Sequence, residues 1–334
     1  MNAQDASVKL LKAHSDEINT CAFSSDVTLL LTGADDATVC VWDCQSGSLI
    51  KTLEKHTGPV RCCCFSLDNN YFATSSTDRT IILWKATTCQ DIITLKGHHR
   101  SVEVCCFSPD STLLCSGSWD NCAILWKINE NKSQLYTKLT GHSSCVQSCA
   151  FSPDGNQLAT GSWDHTIRIW KLYCGIRCIQ VLTGHSGNVH TVIYSSKNQL
   201  ASGSWDKTVI LWDVDKGYPL HVLVGHDGWI QACAFSPDAT FLASAADDES
   251  VRVWDVSTGK CTSILQGHVD EVHTCAFLPS GHIFTSGSVG EWFKKESGLL
   301  NLSTESLDTI DNDLLAMQYN PEKYIQNLDF NMHV

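Results

Sequence analysis

Seven histidines measure out this chain: His14, His56, His98, His142, His185, His226 and His268 follow one another at spacings of 41 to 44 residues. An aspartate stands 22 residues after most of them and 21 after His185, at Asp36, Asp78, Asp120, Asp164, Asp206 and Asp248. Four residues before each aspartate is a hydroxyl (Thr32, Thr74, Ser116, Thr160, Ser202, Ser244), and six after it a tryptophan (Trp42, Trp84, Trp126, Trp170, Trp212, Trp254). Four markers of different chemistry on one period name a repeat architecture before any local reading does. Within the fourth period, Val146–Phe151, Gln157–Thr160, Thr166–Trp170 and Cys178–Leu182 are short β-rich runs separated by turn signals such as Ser-Pro-Asp-Gly. Four short strands in roughly 42 residues is the pattern of one propeller blade.

The residues resemble the WD-repeat family of β-propellers. Gly225-His226 and Trp254-Asp255 write out its two dipeptides, Trp42-Asp43 and Trp212-Asp213 keep the second, and Trp84, Trp126 and Trp170 are followed by Lys. The resemblance covers about residues 5 to 289 and implies an all-β, seven-bladed propeller over 1–289, without cofactor or metal. It also implies that the repeated residues form a structural network. In the fourth blade this joins Trp170, Thr160, His142 and Asp164, and the same role passes to His14, Asp36, His56, Asp78, His98, Asp120, His185, Asp206, His226 and Asp248. A hydroxyl, a histidine and an aspartate are also the parts of a nucleophilic triad. A catalytic site is needed once, whereas a blade needs its brace every time, so repetition favours the brace.

Counting strands exposes a defect. Ser7–Leu11 precedes the first histidine as a fourth strand would and is expected to close the last blade. With six sets of four, and two strands from the seventh repeat near Val272–Phe277 and His282–Ser286, the total is 27 where seven blades need 28. The seventh repeat loses its pattern at Val289-Gly290, with Gly290 where Asp belongs and Glu296 where Trp belongs. The remainder, 290–334, carries 3 Lys against 8 Asp+Glu. Leu307, Ile310, Leu314 and Met317 give it one short helix at about 304–318. Within it, Gly298 to Leu307 is similar to the helix motif of sterile-alpha-motif (SAM) domains, and Pro321 to Leu328 resembles the start of a U-box with Gln326-Asn327 in place of Cys-Pro. This second resemblance, to proteins combining WD repeats, SAM and U-box domains, implies a shortened form. It supplies a second function class, a substrate-recognition component of the ubiquitin system with the ubiquitin-conjugation machinery as partner.

Composition excludes other classes. Hydrophobic residues make up 43% and charged residues 18%, enough to bury a core. No stretch of about 18 apolar residues marks a membrane span and no signal sequence is seen, so the cytoplasm is expected, with the nucleus as the other compartment. A net charge of -13 repels phosphate backbones, which argues against nucleic acid or an anionic membrane as partner. The 18 cysteines lack metal-ligand spacing. Six of them (Cys21, Cys63, Cys105, Cys149, Cys233, Cys275) lie two before an aromatic on the innermost strand and read as packing between blades.

Function is therefore expected on the rim, as a non-catalytic scaffold that binds segments of other proteins. In the family the variable positions lie five after the landmark histidine and just before the turn aspartate. Here the first set includes Arg61, Glu103, Gln147, His190, Gln231 and His273, and the second Trp119, Trp163, Trp205 and Asp247, with Trp229 on the same side. Aromatic anchors beside arginine are the usual composition of binding hot spots. A third class, an enzyme at the channel mouth, rests on His190 and His273 alone. If the network is structural, His142→Ala lowers the unfolding midpoint in urea; loss of a turnover activity with an unchanged midpoint is the opposite outcome.

Overall fold

A computed structural model describes residues 11–129, 133–266 and 271–277, and the backbone of 283–287. Every regular element in it is a strand. The first blade meanders through Ile18–Phe23, Leu29–Ala34, Val39–Asp43 and Leu49–Leu53, each strand antiparallel to the one before. Five more four-stranded sheets repeat this order, and a two-stranded sheet of Val272–Phe277 and Ile283–Gly287 follows. This is a propeller whose seventh blade is incomplete among the described residues. The four runs read from the fourth period are all strands, somewhat longer than the sequence suggests: Val146–Phe151, Gln157–Ser162, Thr166–Lys171 and Arg177–Thr183. The expected N-terminal strand, Val289, the tail, its helix and both tail resemblances lie outside the described residues.

The first strands of successive blades pack on one another in order from blade one to blade seven. Burial explains why the inner strands are apolar: the second and third strands of the six complete blades are mostly covered, whereas the fourth is mostly exposed. The core is a series of seams between blades. One cluster joins Leu83, Cys105, Leu114, Trp126, Cys149 and Phe151 across blades two to four. Cys63 lies in the seam between blades one and two, and Cys233 and Cys275 occupy later seams. All cysteines are free, and burial pushes Cys21 up to about 11 and Cys275 up to about 12, so these thiols behave as small apolar fillers.

Buried plugs hold six of the seams, four of them against a glycine. Val60, Val102, Val146, Val189, Ile230 and Val272, four residues after the landmark histidines, are fully buried. Several of them press into the second strand of the preceding blade where a glycine leaves room. A Cβ on Gly161 would sit 2.8 Å from Val189 Cγ1 and 2.9 Å from Val192 Cγ1. The corresponding residue of the first blade, Ile18, is 54% exposed. The junction between the last and first blades is therefore not plugged as the others are among the described residues. Gly161→Val is expected to overpack the seam between blades four and five and to destabilise by about 1–3 kcal/mol, read as a lower urea midpoint.

Candidate functional site

The repeated polar residues meet as one chain of hydrogen bonds in each of six blades. In blade four Trp170 Nε1 donates to Thr160 Oγ1 at 2.9 Å, Thr160 Oγ1 lies 2.8 Å from His142 Nε2, and His142 Nδ1 lies 2.8 Å from Asp164 Oδ2. The hydroxyl accepts from the indole and has its own proton left for Nε2, while Nδ1 faces the carboxylate. The same chain runs through Trp42, Thr32, His14 and Asp36, and through Trp84, Thr74, His56 and Asp78. It recurs at Trp126, Ser116, His98 and Asp120, at Trp212, Ser202, His185 and Asp206, and at Trp254, Ser244, His226 and Asp248.

Although the Oγ–Nε2–Nδ1–carboxylate order matches a hydrolytic triad, no substrate can reach it. Thr74, Ser116, Thr160, Ser202 and Ser244 are fully buried, and each hydroxyl carries the tryptophan N–H. Each aspartate also takes the backbone N–H of the residue after its histidine, as Asp164 does from Ser143 at 3.0 Å. Burial raises these carboxyls, but hydrogen bonds from the histidine and neighbouring donors outweigh it and hold Asp78, Asp164 and Asp206 well below the usual range. In blade three Cys122 stands where a threonine or serine hydroxyl bonds the aspartate in the other five; Asp120 has Lys138 Nζ at 4.0 Å and is lowered to about 2, its hydrogen bonds outweighing burial.

The rim positions have a cause that strand periodicity does not reveal. In every blade the ladder between first and second strands slips near its start, for example between Val146 and Ser148 and between Val189 and Thr191. The skipped residues are Asn19, Arg61, Glu103, Gln147, His190, Gln231 and His273. A residue bulged out of the ladder is re-aimed away from the strand's regular alternation. Some of these residues then join across blades. Arg61 donates from its NH1 to Asn19 Oδ1 at 3.2 Å and from its Nε to Glu103 Oε2 at 3.2 Å, while His190 Nδ1 donates to the Gln231 carbonyl at 3.0 Å. Gln231 Nε2 donates to Asp247 Oδ1 at 2.5 Å. Burial pushes the His190 imidazole down, against that hydrogen bond. Glu103, expected on the binding rim, is instead a buried carboxylate, 8% exposed, held by Arg61 and by the Ser101 hydroxyl. Gln147 contacts its own loop, with Cys145 Sγ at 3.7 Å, and His273 lies beside Glu271 at 3.7 Å.

The tryptophans form the site's continuous feature. Trp119 meets Trp163 edge-to-face at 4.5 Å, Trp163 meets Trp205 at 5.1 Å, and Trp205 stacks on Trp229 at 4.5 Å and 11°. His190 stacks on Trp205 at 6.1 Å from the channel side. The network aspartates place this arc, since Trp119, Trp163 and Trp205 each precede one. Their backbone N–H groups are pinned to the carbonyls of Ser101, Cys145 and Asn188. Trp163 Nε1 and Trp205 Nε1 are buried in the stack and make no hydrogen bond among the described residues, so ring contacts hold the middle of the arc. The end indoles, Trp119 and Trp229, are 37% and 46% exposed. Sequence reasoning missed the open cavity of about 530 Å³ beside Trp119, lined by Arg61, Arg79, His99, Arg100 and Glu103. Its only signal was position: Arg79 directly follows a network aspartate, and His99-Arg100 directly follow a landmark histidine.

Among the described residues no group of three or more His, Cys, Asp or Glu is arranged to hold a metal. Residues 17–172 match the family profile of the IFT122 first beta-propeller, and residues 176–213, 217–255 and 259–290 each match the WD domain, G-beta repeat. The chain belongs to the WD-repeat β-propeller family. A WD-repeat propeller is a protein-interaction scaffold, of a family that is typically non-catalytic. No curated protein matches the chain. The WD-repeat network carries its own pH dependence. Carboxyls depressed in the folded state stabilise it fully above the unfolded value of about 3.9 and lose that contribution as pH falls through their folded values. His226, pushed down by burial against the pull of Asp248, resists protonation that the unfolded chain accepts below about 6.5. Urea midpoints are expected to decline gently from pH 7 to 5 and steeply below pH 4.

Proposed function

We propose that this WD-repeat propeller works without catalysis, by holding a peptide segment of another protein across the tryptophan arc. The unbroken contact of Trp119, Trp163, Trp205 and Trp229 over four blades carries this reading. Four rings already in contact present a rigid, amphipathic surface, so a ligand does not have to order them and the entropic cost of binding is low. Each aromatic contact adds about 0.5–1.5 kcal/mol beyond burial, which keeps the arc assembled in the free protein. The ring-to-ring steps of 4.5, 5.1 and 4.5 Å are each longer than the rise of an extended chain, about 3.3 Å per residue, so roughly four to five residues of peptide cross the arc.

The bulged residues support the same reading from the channel side. His190, Gln231 and Asp247 tie the far end of the arc into one polar unit, so a peptide on the rings meets fixed donors and acceptors rather than mobile side chains. The alternative of an enzyme at the channel mouth gains little. His190 is engaged by the Gln231 carbonyl, and neither His190 nor His273 has a hydroxyl or thiol nucleophile among its described hydrogen bonds. Trp119→Ala/Trp163→Ala/Trp205→Ala is expected to remove the proteins photo-crosslinked to this face in cells, each ring at a hot spot contributing about 2 kcal/mol or more. An unchanged set of crosslinked proteins, with the strand signature intact in circular dichroism, sinks the reading.

A further inference from the structure

Two consecutive seams of the propeller hold thiols in contact across the blade boundary. Cys64, in the first strand of blade two, has its Sγ 3.5 Å from that of Cys105 in the first strand of blade three. Cys106, the next residue, has its Sγ 3.1 Å from that of Cys149 in the first strand of blade four. The two pairs share no member, and each joins position eight after one landmark histidine to position seven after the next. Position seven is cysteine in six of the seven repeats, so it distinguishes no seam. Position eight does: it is Ala22, Ala150, Ala234 and Ala276 in four repeats and Ile193 in a fifth, and it is cysteine at Cys64 and Cys106. Packing between blades is satisfied by a methyl group at that position, so it does not by itself call for a thiol there.

Each pair has only to close by about 1.0–1.5 Å to reach the covalent sulfur–sulfur distance of about 2.05 Å. Access differs between them. Cys64 is half-buried, whereas Cys105, Cys106 and Cys149 are buried, so a small uncharged oxidant meets the first pair through Cys64. Both pairs have a further thiol close by. Cys62 Sγ donates to the Cys105 carbonyl at 3.5 Å, and Cys115 stands opposite Cys106 in the ladder within blade three. A bond between Cys106 and Cys115 crosses a ladder that already exists, whereas bonds from Cys64 and Cys106 to the next blade add a connection between repeats.

We propose that Cys64 with Cys105, and Cys106 with Cys149, are sites of reversible disulfide formation between blades, with hydrogen peroxide as oxidant and a small thiol as reductant. One sulfur of the pair attacks a peroxide oxygen, the O–O bond breaks, and a sulfenic acid forms as the other oxygen leaves with the thiol's proton as water. The partner sulfur then attacks the sulfenic sulfur: the S–S bond forms, the S–O bond breaks, and the hydroxyl leaves with the partner's proton as a second water. Two thiols together give up the two electrons that one peroxide takes. Burial pushes the Cys64 thiol up, which keeps its thiolate scarce and makes the first step slow. Contact with Cys105 makes the second step intramolecular, so the sulfenic acid is consumed before it is oxidised further. The bonds close loops of 41 and 43 residues and hold blades two, three and four as one unit beneath Trp119 and Trp163.

The test treats the folded, fully reduced whole chain with hydrogen peroxide, caps remaining thiols with N-ethylmaleimide in denaturant, and maps linked peptides by mass spectrometry with fragmentation to place the bonded sulfurs. Links from Cys64 to Cys105 and from Cys106 to Cys149 are expected, both lost when dithiothreitol precedes capping. The oxidised chain is expected to melt about 5 °C or more above the reduced one, because long loops are closed in its unfolded state. Cys64→Ala and Cys106→Ala each install the residue that four other repeats carry, so both are expected to fold, and each to lose its own link and keep the other. Each link stands or falls by its own peptide. A missing link, a bond from Cys106 to Cys115 in place of Cys149, links that form only in urea, or a rise in melting temperature that survives in Cys64→Ala/Cys106→Ala overturns the proposal.

Discussion

The chain from indole to hydroxyl to imidazole to carboxylate is the interaction on which everything else in this propeller depends. It ties the third strand to the second through Trp170 and Thr160, then reaches the loop before the first strand through His142 and the turn between second and third strands through Asp164. One buried route thus fixes two strands and two loops of a blade. Every donor and acceptor along it is satisfied, which a low-dielectric interior rewards and a half-made network does not. The glycine before the histidine belongs to the same device: a Cβ on Gly97 would meet the Trp126 ring at 2.9 Å, so the indole can lie against the backbone only where no side chain intervenes.

Rigidity at the network becomes geometry at the surface. Trp119, Trp163 and Trp205 sit next to network aspartates, so the groups proposed to meet a partner are carried on turns whose backbone is already tied down. The bulge at the start of each first strand does the complementary work on the channel side. It lifts one residue per blade out of the ladder, which frees residues such as Arg61 and Glu103 to pair across a seam. Braces inside the blades are repeated without change, while the residues one or two positions away are free to differ. Differences between the blades are therefore concentrated beside the braces rather than in them.

Much of this was legible in the sequence, because the informative contacts are local and recur. Spacing grouped six of the seven histidines with an aspartate, a hydroxyl and a tryptophan of the same repeat unit, and the family resemblance implied that the four form a network. The seam packing of Cys63, Cys105 and Cys149 followed from period two in a strand. The burial of Glu103 was not legible because it is decided by Arg61, 42 residues earlier, and by a bulge that alternation cannot signal. Arg79 and Arg100 were missed because nothing in either repeat marks them until blades two and three stand side by side.

The sequence by itself determined the number of periods, the all-β class, the brace within each blade and the loss of pattern at Gly290, all properties of residues within one unit of about 42. The tertiary structure decided which residues of different units meet: that Trp119, Trp163, Trp205 and Trp229 touch as one arc, that Arg61 covers Glu103, and that Arg79 and Arg100 share a cavity with the arc's first ring. The physical reason is that a repeat fixes its own hydrogen bonds locally, whereas contacts between repeats depend on blade packing, on the bulge that re-aims a side chain, and on the close approach that residues such as Gly161 permit.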